Sequence, residues 1–328
     1  MSDRLGEFAL IERLLSHFPP TTVAIGPGDD AAMIQPAAPI VVTTDSLVEG
    51  RHFRSASFAP EDIGWKALAV NLSDIAAMGA EPRWFLWSLT LPAEWELAWL
   101  EGVAGGLAAC AKRYAVELVG GNIAGGTQEL TLSVTAIGEL TSGAAWRRDG
   151  ARAGDAIGVL GRLGWAAAGH IVLERDRQGG HGPLRDRGEA PFLDELRRAQ
   201  RRPIPRCDAP ALFGGASLRP NAAIDVSDGF LQDLGHILRA SDVGADLELS
   251  ALRSDDALSQ FARASAIDPW ELIVAGGEDY ALIITTDQPR EVEGVRWVGR
   301  CVPEADRFSI SLDGAAYRLP EVRGFRHV

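Results

Sequence analysis

Lysine is nearly absent from this chain. Of its 32 basic residues only Lys66 and Lys112 are lysines, and they face 45 acidic residues, for a net charge of -13. Neither lysine sits in the G-x-x-x-x-G-K-[ST] setting of a Walker loop, and the signature set of the protein kinases is missing. Any nucleotide chemistry must therefore rest on metals and arginine. The acidic balance also excludes a sequence-independent nucleic-acid clamp, which needs a basic surface against phosphates. Cysteine is scarce too: Cys110, Cys207 and Cys301 are an odd set without a C-x-x-C pair. Neither a disulfide framework nor a zinc site is expected, and a reducing compartment fits. No stretch approaches the roughly 18 apolar residues of a membrane span. The first residues, Met1 to Phe8, lack a basic region followed by an apolar run. The reading is a soluble cytoplasmic protein with neither nucleic acid nor membrane as a partner.

What is present is an ordinary globular composition, 46% hydrophobic and 23% charged, which excludes disorder and collagen-like structure. The 328 residues suffice for two domains or one large one. Apolar residues Phe8, Ile11, Leu14, Leu15 and Phe18 at spacings of three and four predict a short helix over 7–18 with one face on a core, stopped by Pro19-Pro20. Runs at 40–44, 130–137, 157–160, 222–226 and 282–285 are rich in β-branched residues and bounded by Gly, Pro or Asp, as strands are. Helical stretches at 63–78 and 94–114 lie between them, so the class is α/β or α+β. Gly138 to Gly154 reads as a turn-rich junction between two halves. Arg175 to Gly188, charged and glycine-rich without an apolar period, reads as a surface excursion whose arginines and His181 are solvated. Trp84, Trp87, Trp95 and Trp99 read as core aromatics rather than a stacking platform, with Trp95 and Trp99 one helical turn apart.

The chemistry-bearing residues are mostly carboxylates at the ends of apolar runs. Gly26-Pro27-Gly28-Asp29-Asp30-Ala31 has the outline of a dinucleotide loop, yet Pro36 and Pro39 follow too soon for a long helix, and adjacent carboxylates repel a phosphate unless a cation stands between. Asp45 ends a strand and leads into Ser46-Leu47-Val48-Glu49-Gly50-Arg51-His52-Phe53. Asp74 falls in an apolar helical run, where an inward carboxylate requires a partner. Asp225-Val226-Ser227-Asp228-Gly229 follows a short apolar strand; alternation sets Asp225 and Ser227 on one face, and Asp228 can equally cap the next helix. Val119-Gly120-Gly121-Asn122 reads as a tight backbone open to phosphate, and Gly276-Gly277-Glu278-Asp279-Tyr280 as another acidic turn. Each is ordinary alone. Together they form a pattern of oxygen ligands for Mg²⁺ shared with substrate phosphates.

Read in order, Gly6-Glu7-Phe8, Gly28-Asp29-Asp30-Ala31-Ala32, Thr43 to Phe53, Asn71 to Ala80, Asp225 to Gly229 and Gly277 to Tyr280 resemble the thiamine-monophosphate kinase family, within the superfamily of aminoimidazole ribonucleotide synthetase. The resemblance runs from about Gly6 to Phe325. It implies two α/β domains of mixed sheets packed with helices: residues 1–148 as an ATP- and metal-binding dimerisation domain, and 149–328 as a domain completing the site. It also implies a homodimer with ATP and several Mg²⁺. By its motifs, Asp29, Asp30, Thr43, Thr44, Asp45, Asp74, Asn122, Asp225 and Asp228 would surround metals. Gly121, Asn122, Arg148 and Ser227 would face ATP, and His52, Glu278, Asp279 and Phe325 the thiamine monophosphate. Two positions depart from the family pattern: Asn122 stands where Asp is usual, and Ala281 where Glu often follows Asp-Tyr.

The expected reaction is direct phosphoryl transfer from ATP to thiamine monophosphate. The acceptor phosphate is already mostly ionised at neutral pH, so no covalent nucleophile or strong base is assigned, and Ser46, Ser73 and Ser227 read as ligands or caps. The alternatives are another ATP-dependent member of the superfamily, or a non-catalytic nucleotide- or thiamine-phosphate-binding protein. A selenophosphate synthetase is expected to carry a reactive residue near the N-terminus, and the first cysteine here is Cys110.

Overall fold

Two mixed sheets organise the chain in the computed structural model, which describes residues 6–140, 143–179, 190–253 and 257–318. The chain divides into two compact units, Met1–Ile75 with Ala80–Gly143, and Ala76–Gly79 with Ala144–Val328. Phe325, assigned to the substrate from the sequence, lies outside the described residues, as do His181, Arg185 and Arg187.

In the first unit, four strands pair in the order β1 (Ile40–Val48), β4 (Thr131–Glu139), β2 (Glu81–Pro92), β3 (Glu117–Thr127). Only β2 and β3 are parallel, joined through the helix α3 (Leu97–Tyr114). Alternation on β2 buries Phe85, Trp87, Leu89 and Leu91 and leaves Trp84, Leu86, Ser88 and Thr90 partly open. Ile63, Leu68, Leu72 and Ile75 of α2 (Pro60–Ala77) are completely buried, as are Leu100 and Leu107 of α3. Burying such a side chain fully contributes roughly 1.5–3 kcal/mol. Helix α2 meets α3 at glycines: a Cβ on Gly64 would stand 2.0 Å from the Val103 carbonyl, and one on Gly106 2.0 Å from that of Glu61.

The first helix is shorter than its apolar pattern. It spans Glu7–Leu15, ends four residues before Pro19, and rests Leu10 and Leu14 on the core, while Phe8 is 81% exposed. The Ser16 hydroxyl donates to the Arg13 carbonyl at 2.7 Å, closing the last turn before proline is needed to stop it. Helix α3 likewise begins at Leu97, so Trp95 precedes it.

In the second unit, seven strands run β11 (Ala315–Ala316), β10 (Phe308–Leu312), β7 (Gly244–Glu248), β9 (Val295–Val302), β5 (Ala156–Leu160), β8 (Leu282–Thr286), β6 (Ala222–Asp225). Strands β5, β6 and β8 are buried along their whole length. One core gathers side chains of α4 (Trp165–Arg177), α5 (Ala190–Arg201), α7 (Phe230–Ser241), α8 (Ala257–Ser265) and α9 (Pro269–Ala275). A second cluster holds Phe213 of α6 (Ala209–Gly215), with Trp146 and Trp297 packed against it. The expected excursion from Arg175 is corrected at its start: Arg175, Asp176 and Arg177 are the last turn of α4. The Arg175 guanidinium donates to Ser265 at 2.9 Å and lies over the Phe261 ring, which holds an arginine that composition alone made a solvated one. The three cysteines are thiols. Among the described residues no helix is long and apolar enough to cross a membrane.

Candidate active site

Strand β1 and helix α2 bring together part of the acidic set. The Thr43 hydroxyl donates to Asp74 at 2.7 Å, giving that helical carboxylate the partner its apolar surroundings require. Asn71, fully buried one turn earlier, accepts the Asp45 backbone N–H at 2.9 Å and donates to the Ala67 carbonyl at 2.9 Å. The helix thus fixes the edge strand where its carboxylate emerges. Alternation sets Thr43 and Asp45 on one face of β1. Thr44 belongs to the other: its hydroxyl donates to the Val134 carbonyl at 3.0 Å and accepts from Thr135 at 3.1 Å. Asn122 follows Thr44 in this respect, because the register runs Ser46, Ser133, Ser88, Asn122 across the sheet. The side chains of Thr44 and Asn122 are therefore not gathered with Thr43, Asp45 and Asp74.

The paired glycines are not a loop. Gly120 and Gly121 lie inside β3, and a Cβ at Gly121 would stand 2.2 Å from the Trp87 carbonyl of the adjoining strand, so close strand pairing accounts for that glycine. Asp29 and Asp30 are exposed in an irregular segment with no helix behind it, and the Asp30 N–H donates to the Asp29 carboxylate at 2.8 Å. His52 closes the turn after β1. Its Nδ1 accepts the Val48 N–H at 3.0 Å, which leaves Nε2 to carry the proton of the neutral ring.

In the second unit, two acidic turns separated by some 50 residues are tied backbone to backbone. Glu278 N–H donates to the Ser227 carbonyl at 2.8 Å, Tyr280 N–H to that of Val226 at 2.9 Å, and Val226 N–H to that of Ala281 at 2.8 Å. Glu278 and Tyr280 have φ of 64° and 50°, a left-handed backbone rare outside glycine that these cross-links hold in place. Asp225 is 5% exposed at the end of β6. Asp228 accepts from Gln232 at 2.9 Å. Asp233, which sequence reasoning missed, organises this turn: one of its oxygens accepts the N–H groups of Ser227, Asp228 and Gly229 at 3.0, 3.0 and 3.1 Å. Burial raises its carboxyl to about 6, against the pull of those amides. Its signal was an acid in the first turn of a helix just after a glycine turn.

Asp279 does not present its carboxylate as the sequence suggested. It accepts the N–H groups of Gly164 at 2.5 Å and Ala166 at 2.9 Å, so it caps α4, and burial pushes its carboxyl up to about 7. Glu278 keeps a different partner, the amide of buried Gln200. Arg148 is exposed, and its carbonyl accepts from Ser241 at 3.0 Å. The His236 ring is held below its ordinary range by burial and by Arg239 and Arg148, with Asp228 opposing them.

Among the described residues no three His, Cys, Asp or Glu side chains form a ready-made metal cage. The donor set suits Mg²⁺ nonetheless: that ion keeps several waters and takes one or two carboxylates together with substrate phosphates, and hydroxyl and carboxylate oxygens stand paired at Thr43 and Asp74.

Residues 28–140 match the family of AIR synthase related proteins, N-terminal domain. The chain is 40% identical over 314 residues to the thiamine-monophosphate kinase of Mycobacterium tuberculosis, strain H37Rv, covering 95% of this chain and 89% of that one. The crystal structure of thiamine-monophosphate kinase from Stenotrophomonas maltophilia superposes with a TM-score of 0.76 at 37% identity, covering 95% of this chain and 98% of the other. AaThiL complexed with AMPPCP and TMP superposes with a TM-score of 0.75 at 32% identity, over the full length of both chains.

Proposed function

The chain belongs to the thiamine-monophosphate kinase family, and we propose that it transfers the γ-phosphoryl group of ATP to the phosphate of thiamine monophosphate. The observation that carries this reading is the full-length likeness to a protein complexed with both AMPPCP, an ATP analogue, and TMP. A phosphate oxygen of the acceptor bonds to the γ-phosphorus while the bond from that phosphorus to the β-bridging oxygen breaks, giving thiamine diphosphate and ADP. The acceptor's second pKa is near 6, so its oxygen arrives ionised and the chain needs no strong base. What the residues must do is hold two anions in line and offset their repulsion.

Mg²⁺, when bound, supplies charge neutralisation between the phosphates. Within the first unit Thr43, Asp45 and Asp74, joined by Asp29 and Asp30, would hold one such ion, and within the second Asp225 and Asp228 would hold another. The Asn122 side chain, on the opposite face of the sheet from Thr43 and Asp45, is left out of this ligand set. Ser227, Arg148 and the Gly121-Asn122 backbone serve ATP, with Arg148 contributing the one cation of the set. His52, through Nε2–H, and Glu278 serve the thiamine monophosphate, and the three thiols suit a reducing, cytoplasmic compartment.

The test is incubation of the purified protein with ATP, Mg²⁺ and thiamine monophosphate, each also omitted in turn, with products separated by chromatography. Thiamine diphosphate and ADP in equal amounts are expected. ATP and thiamine monophosphate both unchanged across metals and pH would remove the assignment.

We also propose a homodimer through the open face of the four-stranded sheet. Ile40 and Val42 are 45% and 55% exposed on its edge strand, and the same face carries Leu86 and the register pair Trp84 and Ile137. A second copy would cover this apolar strip. Sedimentation is expected to give twice the chain mass, with Val42→Glu shifting the protein toward monomer; a monomeric wild type would refute it.

A further inference from the structure

Gln200 is the buried polar residue that the reaction, as described, leaves unused. It lies in the last turn of α5 and is 3% exposed. Its Nε2 donates to one carboxylate oxygen of Glu278, and its Oε1 has no hydrogen-bond partner. An apolar side chain of the same length would fill this place without stranding a buried acceptor, which costs about 1–3 kcal/mol. Stability alone therefore gives a poor account of a glutamine here. The residue it touches is unusual in two ways: Glu278 adopts a left-handed backbone, and its N–H is tied to the Ser227 carbonyl. Backbone ties fix where the Glu278 side chain starts, and the amide fixes where it ends. The helix itself is held close, because a Cβ on Gly169 of α4 would stand 2.0 Å from the Leu196 carbonyl and 3.0 Å from the Gln200 Cβ. This packing fixes the backbone from which the Gln200 side chain reaches Glu278.

We infer that Gln200 is a positioning residue for substrate selection: its amide orients the Glu278 carboxylate toward the cationic part of the phosphate acceptor. This rests on the reading of Glu278 as a substrate-facing residue. Thiamine carries a thiazolium cation, which a fixed anionic acceptor complements. ATP presents no such cation, so the effect should be confined to one substrate.

The experiment compares steady-state kinetics of Gln200→Met, Gln200→Glu, Glu278→Gln and the double variant Gln200→Met/Glu278→Gln, each checked by circular dichroism and thermal melting. Gln200→Met keeps the volume and removes the donor; the KM for thiamine monophosphate is expected to rise about tenfold while the KM for ATP stays within about twofold, the size of a lost hydrogen bond to a charged group. Gln200→Glu sets a second carboxylate against the first and is expected to raise that KM further. The double variant should be no worse than Glu278→Gln alone, because the amide acts through that carboxylate. A Gln200→Met protein that melts early and loses affinity for both substrates alike would overturn the inference in favour of a packing role, as would simple additivity in the double variant. If Glu278→Gln leaves the KM for thiamine monophosphate unchanged, the underlying reading of Glu278 fails and the inference falls with it. A normal Gln200→Met beside an impaired Glu278→Gln removes the inference alone.

Discussion

Replacing Asp45 or Asp228 by alanine is expected to lower kcat by at least about a thousandfold while the protein still folds, because on the proposed function each substitution removes a metal-ligand charge from a site whose work is electrostatic. Phosphoryl transfer between two anions has little covalent chemistry for a protein to perform, so the loss cannot be made good by a neighbouring base. Stability should survive for a local reason. The Asp45 side chain is exposed, and what anchors β1 at that point is its backbone N–H on Asn71, which alanine retains. Asp228 is only half-buried, and the turn around it is held by Asp233 and by backbone bonds to residues 278–281. Single-turnover rates with saturating Mg²⁺, alongside melting curves, check both halves of the expectation. Near-normal rates in either variant would remove the metal-clamp argument.

Asp233→Ala should instead act through the fold, with a loss of roughly 2–4 kcal/mol in urea denaturation, since it leaves three backbone donors without their acceptor in a buried turn. Activity should fall with it, because those amides belong to the residues that present Ser227 and Asp228. Asp233→Asn is expected to be far milder. A single oxygen of Asp233 accepts all three bonds, so an amide oxygen in the same place can still do so. The two variants also differ in pH dependence. The folded carboxyl sits near 6, above its unfolded value near 3.8, so the folded protein holds this proton more tightly. The associated stability is fully present below pH 4 and is lost as pH rises through about 6. Asp233→Asn should remove that component of the pH profile. If Asp233→Asn were as destabilising as Asp233→Ala, geometry would not be what the residue supplies.

Much of the architecture was legible in the sequence, because a strand or helix announces itself by local periodicity. The runs at 40–44, 157–160, 222–226 and 282–285 fall on β1, β5, β6 and β8, and the apolar stretch around Asp74 is α2. The list of acids, and their places at the ends of these elements, were legible for the same reason. What periodicity could not supply is a partner. Phe8 matched a helical stripe, yet the turn that meets the core is set by Leu10 and Leu14. Gly120-Gly121 read as a tight backbone open to phosphate, and only the neighbouring strand shows that Gly121 is there to pass the Trp87 carbonyl.

The same division holds in the site. Composition, motif order and the near absence of lysine determined by themselves which residue types are available for chemistry, carboxylates and arginine rather than lysine, since charge and ligand chemistry belong to residue types. Tertiary structure decided which of those residues act together. Thr43 and Thr44 are adjacent in sequence and face opposite ways. Glu278 and Asp279 are also adjacent, yet one is held by Gln200, 78 positions away, and the other caps a helix that begins at Trp165. Hydrogen bonds and burial depend on contacts across such distances along the chain, and no local pattern of residues encodes them.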